Sequence, residues 1–197
     1  LVVNRTGAVL DLDSLRIRQC VHAAIHHFGG TAHVHRSQID TVTGSGIHVD
    51  FDALLELDST TIRGSGQEGL FFASLTSHLL PSSGNRVLGS AGTGIHLNAF
   101  QLPGLLKQDS IVGNGVNFGT NLIEVQGGRP DSTVAAFTIF AQPQPIGSNG
   151  YVIRQFGGLL DIGRVGGQAV TLDSNVVLRF EGQTGLRIGD SAGTRSG

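Results

Sequence analysis

Histidine and aspartate are the residues of this 197-residue chain best suited to chemistry, and most of the histidines fall in one stretch. Six of the eight, His22, His26, His27, His33, His35 and His48, precede residue 50. The run His33-Val34-His35 puts two imidazoles on one face if the segment is a strand, because side chains there alternate with a period of two. Neutral imidazole ligates transition ions, so His33 and His35 are candidate metal ligands. In a three-fold assembly, three such pairs would surround an ion on the axis. His22 and His26 are four apart, the spacing that shares a helix face, but no HExxH motif follows and the metalloprotease class is excluded. The plainer account of these imidazoles is hydrogen bonding on a surface or between subunits.

His48, Asp50 and Asp52 alternate with Ile47, Val49 and Phe51, which reads as a strand with one polar and one apolar face. On such a strand the two aspartates stand about 7 Å apart. Carboxylates at that separation act as acid and base on a glycosidic bond, or hold calcium. Asp50 and Asp52 are therefore the candidate catalytic pair of a polysaccharide-degrading lyase or hydrolase. Glu56 and Asp58 follow on the adjoining stretch. A solvated outer face explains the same residues without catalysis. No second cluster of charged residues is apparent elsewhere in the chain, and this weighs against an enzyme. GSAGTG and GNGVNFG, starting at Gly89 and Gly113, lack the GK[ST] ending of a phosphate loop.

Something must position these side chains, and the chain carries a repeat able to do so. LDSLRIR at Leu12, LDSTTIR at Leu57 and LDSNVVLR at Leu172 begin alike. A second series places Val42, Ile62, Val87 and Ile111 just before Gly/Ser/Asn turns, in TVTGSG, TIRGSG, RVLGSAG and SIVGNG. Both series fit a unit of roughly 22–25 residues, the length of a coil with two or three short strands and their corners. The expected fold is mainly β, a parallel β-helix or solenoid, with an antiparallel β-sandwich or jelly roll as the alternative. From Ser14 to Phe28 the apolar spacing of Ile17, Val21, Ala24, Ile25 and Phe28 also predicts a short N-terminal helix. The implied organisation is a cap or attachment segment over 1–40, a solenoid over 41–190 and a flexible tail over 191–197.

Composition narrows the function classes. Glycine supplies 30 residues, about twice the ordinary share of ~7%, and charged residues only 14% against the usual ~25%. Thirteen basic and 15 acidic residues leave a net charge of -2, so no basic excess exists to bind nucleic acid. One cysteine, Cys20, cannot form an internal disulfide. No apolar run reaches the roughly 18 residues of a membrane span, and Leu1 to Leu10 show no signal peptide.

With its GSG and GNG corners, LDS repeats, low lysine content and the His33-Val34-His35 pair, the chain resembles bacteriophage fibre, spike and tailspike proteins over roughly Thr41 to Asp190. The resemblance implies a homotrimer located in the virion, bound to other virion proteins and contacting host surface polysaccharide. It also implies a metal ion at a three-fold axis, held by His33 and His35, with no other cofactor. The expected function is a structural virion component forming a rigid β-shaft. The alternatives are the polysaccharide-degrading β-helix enzyme and a cell-surface filament subunit.

Overall fold

The computed structural model describes residues 1–115, 123–131, 133–142, 150–154, 159–162 and 168–188. It is a parallel β-solenoid, and every strand pairing among the described residues is parallel, which removes the antiparallel sandwich. The first coil comprises β1 (Val2–Asn4), β2 (Val9–Asp13) and β3 (Arg16–Cys20). The second comprises β4 (Ile25–His27), β5 (Gly30–His35) and β6 (Gln38–Val42), and the third β7 (Ile47–Val49), β8 (Ala53–Asp58) and β9 (Thr61–Ser65). In the fourth, β10 (Leu70–Phe72), β11 (His78–Leu79) and β12 (Arg86–Leu88) repeat the order. The fifth has β13 (Ile95–Asn98), a 3-10 helix over Ala99–Gly104 and β14 (Ser110–Val112). Beyond it lie β15 (Ile123–Gln126), β16 (Ala136–Ile139), β17 (Tyr151–Arg154), β18 (Leu160–Ile162), β19 (Ala169–Leu172), β20 (Leu178–Phe180) and β21 (Leu186–Ile188).

The first strand of each coil joins an eight-stranded sheet, β1-β4-β7-β10-β13-β15-β17-β20, called here face A. Face B stacks β2-β5-β8-β11, and face C stacks β3-β6-β9-β12-β14. Inside, like sits on like. Ile25, Ile47, Leu70, Ile95, Ile123 and Tyr151 form one buried column on face A. Ile17, Ile39, Ile62, Val87 and Ile111 form another on face C. The turn series read from the sequence matches this column at Ile62, Val87 and Ile111. In the second coil the stacked residue is Ile39, whereas Val42 lies opposite Ser65.

Two sets of left-handed residues set the corners. Ser14, Arg36, Ser59 and Gly84 have φ of 56, 47, 50 and 64° and follow the face-B strands. Gln19, Thr41, Gly64, Gly89 and Gly113, at 54, 54, 67, 63 and 66°, recur once per coil on face C. Glycine accepts this conformation freely, which explains the first Gly of the TIRGSG, RVLGSAG and SIVGNG turns. A different constraint fixes Gly46 and Gly69. A Cβ on Gly46 would lie 2.3 Å from Ile62 Cγ2, and one on Gly69 would lie 2.2 Å from Val87 Cγ1.

The N-terminal helix expected over Ser14 to Phe28 is not formed; β3 and β4 occupy the segment. Ile17 stacks on Ile39 in a strand, Gln19 is left-handed, and Val21, required on the buried helix face, is 74% exposed. Coil winding starts at Val2, whose strand pairs with β4. The expected tail over 191–197 lies outside the described residues.

Between faces B and C runs a buried polar ladder. Backbone amides donate in turn from Leu15 to Ser37 Oγ (3.1 Å), Ser37 to Thr60 Oγ1 (3.2 Å), Thr60 to Asn85 Oδ1 (3.0 Å), Asn85 to Gln108 Oε1 (3.3 Å) and Gln108 to Gln142 Oε1 (2.9 Å). Asn85 also donates to the Leu57 carbonyl and to Gln108 Oε1. Truncating it leaves several buried groups unpaired, each costing about 1–3 kcal/mol. Asn85→Ala should therefore lower the unfolding free energy by about 2–4 kcal/mol in urea titration, while exposed Arg86→Ala stays within about 0.5 kcal/mol.

Candidate functional site

Stacked coils place residues one coil apart side by side, so chemistry assembles at intervals of 22 to 28 residues along face A. On face A the outward positions in register run Val3, His26, His48, Phe71, His96, Glu124. Their rings form a continuous stripe: His26 to His48 at 4.4 Å, His48 to Phe71 at 4.9 Å and Phe71 to His96 at 4.9 Å between centroids. Phe28 stacks on His26 at 3.7 Å.

Asp50 closes this stripe into a cluster. Its Oδ2 lies 3.1 Å from His26 Nε2 and 3.1 Å from His48 Nε2. The strand reading that paired Asp50 with Asp52 is not realised. Strand β7 ends at Val49, Phe51, 61% exposed, turns the corner in the left-handed region, and β8 begins at Ala53. Asp52 instead lines a separate hollow with Arg5, Thr6, Phe28 and Phe51. A corner intervenes because face A contributes only three residues per coil here, too few for a six-residue alternation.

Face B holds the expected HxH pair. His33 and His35 both point outward from β5, their rings 6.1 Å apart and 12° from parallel. Each meets a carboxylate from the next coil: His33 Nδ1 is 2.6 Å from Glu56 Oε2, and His35 Nδ1 is 4.0 Å from Asp58 Oδ2. Asp11 and Asp13 occupy the same columns in the preceding coil. His33, His35 and Glu56 form one grouping of ligand atoms compact enough for an ion, and His26, His48 and Asp50 form the other found among the described residues. No protein-family model, curated protein or solved structure matches this chain. Function therefore has to be argued from these faces.

A third feature escaped the sequence reading. The 3-10 helix bulges beside β11 and opens a mainly apolar groove of about 560 Å³, walled by Leu80, Phe100, Pro103, Val134, Phe137 and Phe140. At its edge His78 Nδ1 lies 3.1 Å from the buried carboxylate of Asp131, which also accepts the Thr133 amide and hydroxyl. No described helix is long and apolar enough to cross a membrane.

Burial lowers the pKa of His27, His48 and His96 below the ordinary 6.5, and only partly do Asp50 and Glu124 oppose this at His48 and His96. His27 shows the cause most directly. Its Nε2 donates to the Leu54 carbonyl at 2.9 Å, while buried Nδ1 has no acceptor for a second proton. A depressed histidine pKa means that the unfolded chain binds protons first, so stability is complete above pH 6.5 and falls as pH drops below it. In metal-free buffer the thermal midpoint should be level above about pH 7 and fall toward pH 5. His96→Gln should make that fall shallower.

Proposed function

We propose that this chain is a structural β-solenoid, a stiff segment of a virion fibre or spike whose outer faces contact neighbouring virion proteins and host glycan. The supporting observation is the stack itself: eight strands of face A in parallel register, reinforced by a buried corner ladder. Such a body bends little, since each coil is tied to the next through backbone and side chain alike. The lyase or hydrolase alternative has less support, because Asp50 is engaged by two imidazoles and Asp52 lies beyond a corner from it.

The proposal extends to a homotrimer with face B toward the three-fold axis, where His33 and His35 from each copy would surround a metal ion. Light scattering in solution tests it. The expected mass is that of three 20.5 kDa chains, reduced to one chain by a chelator. A trimer insensitive to chelator would remove the axial ion and keep the shaft. A monomer at every concentration would overturn the trimer.

A further inference from the structure

We propose that His26, His48 and Asp50 form a binding site for a divalent transition-metal ion of the zinc type, which fastens the second coil to the third. Independently of the shaft reading, the site lies on face A and is complete within one chain. Its donors come from different coils: His26 from β4, His48 from β7 and Asp50 from the corner after β7. The three ligand atoms already converge. Both Nε2 atoms stand 3.1 Å from the same Asp50 oxygen, and all three atoms lie within 4.8 Å of one another. An ion with bonds of about 2.0–2.1 Å in tetrahedral geometry separates adjacent ligands by roughly 3.3 Å. The two nitrogen–oxygen distances of 3.1 Å therefore need to grow by only a few tenths of an ångström.

The donor chemistry selects the ion class. Two imidazoles and one carboxylate suit zinc, cobalt, nickel or copper, whereas calcium and magnesium prefer oxygen alone. The rings are held before any ion arrives. The β4–β7 register sets His26 beside His48, Phe28 stacks on His26, and Phe71 meets the His48 ring edge-on. The site is also open: each of the three side chains is about a quarter exposed, and a polar groove of about 340 Å³ runs past both imidazoles. His22, Thr43, Ser45 and Gln67 line the same groove. A water would take the fourth position, as in three-ligand zinc sites.

Calorimetric titration of zinc chloride into chelator-treated protein tests the proposal, with cobalt as a spectroscopic stand-in. The expected result is one micromolar or tighter site per chain that persists in His33→Gln, which disables the pair on face B. Asp50→Asn and His48→Gln should each weaken it about 100-fold or more. Zinc should raise the thermal midpoint of His33→Gln, and adding Asp50→Asn to that variant should abolish the rise. Circular dichroism checks that the variants fold; if His48→Gln does not, Asp50→Asn carries the comparison. Absence of zinc binding to the parent protein, or parent-like binding by folded Asp50→Asn, would overturn the site.

Discussion

At each turn from face B to face C, a buried backbone amide must find an acceptor outside its own coil, and the next coil supplies it from a side chain. Ser37, Thr60, Asn85, Gln108 and Gln142 perform this role in succession. An amide left unpaired in that interior would cost several kcal/mol on the order of a lost hydrogen bond or more. The constraint is directional, because each acceptor reaches only one amide. It therefore fixes how far each coil is rotated and shifted against its neighbour. The apolar columns fill the space so defined but would tolerate a slip that the ladder does not.

Once the stack is in register, the outer faces follow from it. A residue on the surface of one coil gains a neighbour from the next coil at the same position, so pairs form that are remote in sequence. His26 meets His48 and Asp50 in this way, and His33 meets Glu56. The charged ladders obey the same rule: Asp40 on β6 is nearly buried beneath Arg18 on one side and Arg63 on the other. Where the 3-10 helix replaces a face-B strand, the repeat is interrupted and a groove opens instead. Among the described residues the solenoid thus carries titratable outer faces together with an irregular groove.

How much of this was legible in the sequence depended on which period was applied. The coil length and parallel solenoid could be read from Leu12 and Leu57, which lie two coils apart in one column, and from the Ile62, Val87 and Ile111 turns. The helical period misled: it put His22 with His26, although the relevant neighbour of His26 is His48, one coil of 22 residues onward. The strand period misled at Asp52, because it cannot reveal that Phe51 turns a corner. Applying the coil interval to every histidine would have found the face-A stripe. His78 with Asp131 had no such signal, since the inserted 3-10 helix breaks the spacing there.

The central claim is that the corner ladder locks the coils together, and native-state amide hydrogen exchange measures it most directly. Exchange at Leu15, Ser37, Thr60, Asn85 and Gln108 should be as slow as at the central face-A strands, requiring opening of the whole stack. If these amides exchange at the rate of exposed turns while β7 and β10 stay protected, the corners open independently. The ladder would then not be what holds the register.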